Sequence, residues 1–215
     1  NSRSYNAFQM GFKTDSSFGR ARIRKVSQEI LQDALEKNIV PVITGFQGFD
    51  DEYNITTLGR GGSDTSAVAI AVSLNAKECQ IYTDVDGVFT TDPNIYDKAR
   101  QLDHLTYEEM LELSSLGAKV LQIRSVEFAS KYKLPLRVLS SFGSNGGTLI
   151  NSNDNLEEAV VSGIAFTSNE AKITIRKVPD IPGVAAKILS PISDAGIEVD
   201  VIVQNVASDN TTDFT

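Results

Sequence analysis

The run Ala67-Val68-Ala69-Ile70-Ala71-Val72 constrains this chain more than any other. Read as a helix, it is apolar on nearly every side, so it belongs inside a domain and not on its surface. Its start is legible too. Ser63 or Asp64 can N-cap a helix that runs to about Leu74. The stretch from Gly45 to Gly62, rich in Gly, Asp, Asn and Thr, reads as the loop leading into it.

The flanking sequence alternates helical and extended patterns. Val26, Ile30, Leu31, Ala34 and Leu35 have helical spacing within 26–37. Ile39 to Thr44 reads as a short buried strand, and Glu78 to Thr83 as the next. Asp84 to Asn94 is turn-rich. Tyr107 to Leu113 and Gly117 to Lys131 read as helices, and Leu136 to Ser140 as a strand. This order predicts an α/β layered sheet with parallel strands. Residues 143–160 are polar and turn-rich, as at a domain edge. Beyond them the expected order is a strand at 171–175, a helix at 182–195 with Gly196 just past its end, a strand at 197–206, and a third beginning at Thr212. That is a β-α-β-β, ferredoxin-like order without its last helix and strand.

Composition narrows the function. With 215 residues there is room for one large domain, or a medium one plus a small one. The net charge of −8 argues against a nucleic-acid surface. One cysteine, Cys79, and one histidine, His104, make neither a disulfide framework nor a structural zinc site. A reducing cytoplasm is the expected compartment. No run approaches the roughly 20 apolar residues of a membrane span, and Asn1 to Tyr5 lead into no signal-peptide core. Cys79 reads as a small buried hydrophobe, His104 as a loop residue on the surface or capping a helix, and Tyr107-Glu108-Glu109 as a solvated helix start.

Two stretches carry chemistry. In Thr57-Leu58-Gly59-Arg60-Gly61-Gly62-Ser63-Asp64 the glycines let the backbone approach a ligand, and the helix start offers N–H groups to a phosphoryl group. The Gly-Lys-Ser/Thr ending of a Walker A loop is absent, and Asp64 breaks a G-x-G-x-x-G fingerprint. Arg60 can grip a carboxylate and Asp64 an ammonium, which together suit an amino acid. The plainer alternative, a capped helix start with a surface ion pair, stays open on local grounds. In the second stretch, Tyr82 to Asn94, Asp84, Asp86 and Asp92 superficially suggest a calcium loop, but the twelfth position, which should be Glu, is Ile95. A nucleotide or Mg²⁺ role fits better.

These stretches closely resemble aspartate kinase: 56–65 and 82–93, together with Gly45-Phe46-Gln47-Gly48, Glu108 to Leu113, Gly117-Ala118-Lys119-Val120-Leu121 and Gly147-Thr148-Leu149-Ile150. The resemblance runs through the whole chain in order. It implies an amino-acid-kinase-type three-layer αβα sandwich, with residues 1–155 as the C-terminal portion of the kinase domain, followed by an incomplete ferredoxin-like ACT module at 160–215. The implied reaction moves the γ-phosphoryl of ATP, with Mg²⁺, to the β-carboxylate of L-aspartate. Arg60 and Asp64 would be catalytic, gripping the substrate's carboxylate and ammonium. Thr57, Gly61, Gly62 and Ser63 would line the substrate and phosphoryl site. Thr83, Asp84, Phe89, Thr90, Thr91, Asp92, Pro93, Asn94 and Lys119 would contact ATP. Lysine or threonine would bind as effector at Asp180, Pro182, Gly183, Val184, Ala185, Val199, Asp200, Gln204 and Asn205, at a dimer interface between ACT modules.

This sequence departs from the family pattern in places. Asn94 stands where many relatives carry Arg, and Phe89 where Tyr is common, so one cationic phosphate contact is missing. The family's opening strand, with its Lys-Phe/Tyr-Gly-Gly lysine, and a later helix with a substrate-binding Glu are not in the chain. The resemblance therefore places Asn1 inside the kinase domain and implies that the chain by itself is no competent kinase. Two alternatives are carried forward: an ordinary strand–helix turn at 178–185, and a non-catalytic, amino-acid-sensing regulatory subunit.

Overall fold

The computed structural model describes residues 1–118, 120–143, 146–152, 161–166, 171–197, 199, 201–206 and 211–215. Lys119, Asp200 and the expected boundary at 155–160 lie outside the described residues. The chain divides into two compact units, Asn1–Thr167 and Ser168–Thr215.

The first unit begins with β1 (Ser2–Tyr5), β2 (Lys13–Thr14), β3 (Ile23–Lys25), α1 (Gln28–Glu36) and β4 (Val40–Ile43). β5 (Gln47–Phe49) and β6 (Ile55–Thr57) follow, then α2 (Gly62–Ser73), β7 (Cys79–Thr83), β8 (His104–Thr106), α3 (Tyr107–Ser115), α4 (Ile123–Tyr132), β9 (Leu136–Ser140) and β10 (Thr148–Asn151). β1 and β4 pair in parallel. A second sheet has the order β3-β2-β5-β6 and a third the order β7-β9-β10-β8.

The third sheet is mixed, not parallel throughout. β7 and β9 run parallel, as do β10 and β8, but β10 is antiparallel to β9. The reason is the short connection from Ser140 to Thr148, which closes a hairpin where a parallel strand would need a crossover. The polar composition of 143–160 concealed this strand. Likewise the expected loop at 45–62 contains the antiparallel pair β5 and β6, strands too short for a periodicity to register. Gly117, Ala118 and Val120 to Gln122 are not helical, and α4 starts only at Ile123. His104 lies in β8, not in a loop, with Nε2 2.5 Å from Asn151 Oδ1.

One face of the third sheet presents Leu136, Val138, Ile150 and Leu105, none measurably exposed, to Val68, Met110 and Val126 of the helices. The side chains alternate with the strand period of two. Tyr107, expected in a solvated helix start, is in this core, and the capping box of α3 lies beside it: Glu109 N–H donates to Thr106 Oγ1 at 3.1 Å, and Thr106 N–H donates to Glu109 Oε2 at 2.8 Å. A second cluster holds Ala7, Phe12, Ala21, Leu58 and Ala69. Helix α2 contributes Val68 and Ala71 to the first cluster and Ala69 to the second, which is why it is apolar all round.

The second unit comprises β11 (Ile175–Pro179), α5 (Val184–Asp194), β12 (Gln204–Val206) and β13 (Thr211–Phe214). The strands form an antiparallel sheet with β13 in the middle. The β-α-β-β order is as expected, but the strands are shifted and shortened: 171–174 is not extended sheet, and in 197–206 the ladder covers Gln204–Val206, continued by Val203, which exchanges N–H···O bonds with Thr215 at 2.8 and 2.9 Å. Alternation of Ile and Val continues beyond the ladder in both segments, so periodicity overran the hydrogen bonding. Ile181, Ile197 and Val201 are more than half exposed.

Most helices end in a Schellman-type turn with a left-handed residue. After α4 that residue is Lys133, at φ +54°, with Leu134 N–H donating to Ala129 O at 3.0 Å. A lysine there carries the Cβ penalty that glycine avoids. Lys133→Gly is therefore expected to raise stability by about 0.5–1 kcal/mol in urea unfolding; a loss would mean the lysine side chain contributes more than the strain costs.

Candidate phosphoryl and substrate site

Helix α2 opens on the glycine loop. Its N-cap is Gly61, at φ +67°, and no side chain caps it. Ser63 and Asp64, the caps expected from sequence, fall inside the first turn instead. The left-handed turn at Gly61 leaves no room for a side chain: a Cβ there would lie 2.3 Å from the Gln122 side chain. Gly59, at φ +81°, crosses the 19–21 segment so closely that a Cβ would meet Gly19 O at 2.6 Å.

The loop is fixed from several sides. Ala21 N–H donates to Thr57 O at 2.9 Å, and Leu58 N–H to Phe46 O at 3.0 Å. The Thr65 and Ser66 hydroxyls turn back to Gly61 O and Gly62 O, and Ser66 Oγ accepts from Phe46 N–H. Gly62 N–H is used by Gly59 O at 2.9 Å. The N–H groups of Ser63 and Asp64 donate to nothing among the described residues. They are the free donors of a helix start, where the dipole favours an anion.

The two charged residues of the loop differ in environment. Arg60 is exposed and has no carboxylate within ion-pair distance among the described residues. The Arg60–Asp64 surface ion pair of the plainer alternative does not form. Asp64 is half-buried. Burial holds its carboxyl above the ordinary aspartate range, while a hydrogen bond from Gln122 N–H pulls the other way. A half-buried carboxylate without a cationic partner is suited to receive an ammonium group. Cys79 is buried, with its thiol pushed up to about 11 by burial and by the charges of Asp64 and Glu78, so it is no nucleophile.

The second stretch leaves β7 at its carboxyl end and folds back on itself. The Thr83 hydroxyl donates to Asp84 at 3.1 Å. Phe89 bridges Gln101, Thr90 N–H donates to Arg100 O, and Thr90 Oγ1 accepts from Arg100 N–H. Thr148 Oγ1, from β10, accepts from Val88 N–H at 2.8 Å and donates to Leu102 O at 2.6 Å. Asp92 accepts from Asn94 N–H at 2.9 Å, an Asx turn that orders Pro93 and Asn94. Thr91 is half-buried; Asp92, Pro93 and Asn94 are exposed. No group of three or more potential metal ligands occurs among the described residues. No hydrogen bond or ion pair joins this stretch to 57–64 among the described residues.

In the second unit Gly183 caps α5 in a left-handed conformation, with Asp180, Pro182 and Ala185 exposed around that helix start and Val184 half-buried. Gln204 and Asn205 pair with Phe214 and Asp213 in the sheet, and Val199 is exposed.

Sequence reasoning missed Gln122 and Arg124, which hold the first loop from the start of α4. Arg124 was detectable in principle: a cation in the first turn of a helix opposes the dipole. The signal needed the helix to be started at Ile123, and the pattern placed it at Gly117.

An α/β core whose enclosed helix opens on a glycine loop, with N–H groups unpaired among the described residues, defines a class of domain that can receive an anion at that helix start. The chain belongs to the amino acid kinase family, whose model matches residues 1–140. It is 60% identical to the aspartokinase of Pseudomonas aeruginosa and 59% identical to the aspartate kinase of Stutzerimonas stutzeri, in each case over 99% of this chain and 52% of the relative. The chain thus spans about half the length of the curated relatives it matches. Among solved structures it is similar to E. coli aspartokinase III in complex with lysine and aspartate, at a TM-score of 0.74 and 26% identity, over 100% of this chain and 48% of that one. It is also similar to the aspartate kinase from Synechocystis, at a TM-score of 0.62 and 36% identity, over 99% of this chain and 36% of that one. Among the described residues no helix is long and apolar enough to cross a membrane.

The raised Asp64 has a consequence for stability. A carboxyl lifted by folding stabilises the fold only below its unfolded value, about 4, and that contribution is lost as pH rises through the folded value. Asp64→Asn is therefore expected to be more stable than the parent in urea at pH 7.5, with the gap closing as pH falls through the raised folded value and closed by about 4. A variant less stable at pH 7.5 would show that the Gln122 hydrogen bond outweighs burial.

Proposed function

We propose that this chain carries the phosphoryl and acceptor site of an aspartate kinase, which transfers the γ-phosphoryl of ATP to the β-carboxylate of L-aspartate. The observation that carries the proposal is the combination, in one loop, of the Ser63 and Asp64 N–H groups and Arg60, all without partners among the described residues, with a half-buried Asp64. The N–H groups suit an oxygen of the phosphoryl group in flight. Arg60 suits the α-carboxylate of aspartate and Asp64 its ammonium. Thr57, Gly61 and Gly62 shape the floor. Identity of 59–60% to aspartate kinases along 99% of the chain supports this choice among amino acid kinases.

The chemistry asks little more of the protein. The β-carboxylate of aspartate is ionised at neutral pH and needs no strong base. Rate then comes from holding the carboxylate oxygen in line with the γ-phosphorus and from neutralising developing charge. The ordered turn from Thr83 and Asp84 through Phe89 to Asn94 suits the nucleotide, together with Lys119. Without a cluster of acidic ligands among the described residues, Mg²⁺ is expected to arrive on the ATP phosphates, as it does where a protein supplies few ligands.

The second unit fits a regulatory role. E. coli aspartokinase III has been solved with lysine and aspartate, and a structure of the same enzyme with aspartate and ADP is similar to this chain at 25% identity. By that analogy lysine or threonine binds here at the start of α5, through Asp180, Pro182, Gly183, Val184 and Ala185, with Val199, Asp200, Gln204 and Asn205. The exposed Ile181, Ile197 and Val201 suit pairing with a second copy. The cytoplasm suits such an enzyme.

The test is a coupled aspartate-kinase assay on the protein extended to its relatives' length, with lysine and threonine titrated in. Activity should require Mg²⁺, ATP and L-aspartate. Arg60→Ala should lower kcat/KM for aspartate at least about thirty-fold, as for loss of one partner of a desolvated charge pair. An extended protein that binds lysine or threonine by calorimetry but not Mg·ATP would instead be the regulatory subunit.

A further inference from the structure

Arg124 lies in the first turn of α4, one turn before Phe128, which packs on both apolar clusters. Its guanidinium forks. One terminal nitrogen donates to Leu58 O at 2.9 Å, and the other to Ala21 O at 2.8 Å. Leu58 and Ala21 are both buried, and they belong to segments joined by the Ala21 N–H to Thr57 O bond. Arg124 thus closes the junction where the glycine loop leaves β6. The adjacent Gln122 adds two further holds, its side chain against Gly61 and its N–H on Asp64.

Arg124 has no carboxylate partner among the described residues. The first turn of α4 carries no acidic residue either, so the cation stands against the helix dipole. An apolar side chain here would leave both carbonyls unpaired, and a single donor would satisfy one of them. What only a planar fork supplies is a fixed angle between two carbonyls. That angle sets the peptide planes entering Gly59 to Gly61, and hence the direction of the free N–H groups of Ser63 and Asp64.

We infer that Arg124 is a positioning residue for phosphoryl transfer: by clamping Leu58 O and Ala21 O it aims the glycine-loop N–H groups at the transferring phosphoryl group. The inference rests on the kinase reading of the loop. Lysine keeps the charge but donates from a single nitrogen on a flexible stem and not from a planar fork, so charge and fork separate experimentally.

The experiment compares Arg124→Lys and Arg124→Ala with the parent, in the protein extended to its relatives' length, with rates divided by the folded fraction from circular dichroism. Arg124→Lys is expected to lower kcat about ten- to a hundred-fold, as for an ångström-scale misplacement, with KM for ATP changed less than about three-fold. Added ethylguanidinium should recover at least about three-fold of the Arg124→Ala rate, where NaCl at matched ionic strength does not. Parent-like kcat in Arg124→Lys, or a loss in Arg124→Ala that follows unfolding alone and does not respond to ethylguanidinium, would overturn the inference. A parent protein with no phosphoryl transfer to aspartate would instead remove the kinase reading.

Discussion

Helix α2 sits where two apolar clusters meet, and the rest of the site depends on that enclosure. Val68 and Ala71 face one cluster and Ala69 the other. A helix held on both sides cannot tilt or fray freely, so its N-terminus is a fixed point from which N–H groups can be aimed. The same packing forces the close approaches there. Gln122 and Gly19 leave no space for a Cβ at Gly61 or Gly59. The glycines are therefore required by neighbours on α4 and the 19–21 segment as much as by any ligand.

Fixing the loop carries an energetic cost, and it falls on the groups that would meet substrate. Among the described residues the Ser63 and Asp64 N–H groups lack acceptors, Asp64 is half-buried without a cation, and Arg60 has no carboxylate partner. Of these the half-buried Asp64 carries the burial cost, which a substrate ammonium would relieve, whereas Arg60 and Ser63 are exposed to water. The fold's own stability comes from elsewhere: the alternating core of the third sheet, the capping box of α3, and the left-handed helix ends.

The enclosed helix, the glycine loop and the α/β class were legible because each has a local signature: apolar all-round periodicity, clustered glycines, alternating patterns. The strands at 47–49 and 55–57 were not, because three residues hold no periodicity. The antiparallel strand Thr148–Asn151 was hidden by its polar surroundings. The N-cap was placed at Ser63 or Asp64 because side-chain caps are the readable kind, whereas Gly61 caps by backbone conformation alone. Gln122 and Arg124 act across a long stretch of intervening chain; the one local hint, a cation in the first turn of α4, needed the helix start at Ile123 that the pattern misplaced. In the second unit the element order was legible but the strand limits were not, since Ile and Val alternate beyond the ladder.

The central claim is that the loop at 57–64 receives both the phosphoryl group and the amino acid. The most direct measurement is a crystal structure of the protein, extended to its relatives' length, with L-aspartate and a non-hydrolysable ATP analogue. The account predicts a terminal phosphoryl oxygen about 3 Å from the N–H groups of Ser63 and Asp64, with the amino acid's α-carboxylate on Arg60 and its ammonium on Asp64. A phosphoryl group bound away from this helix start, or an aspartate that leaves Arg60 and Asp64 untouched, would contradict it.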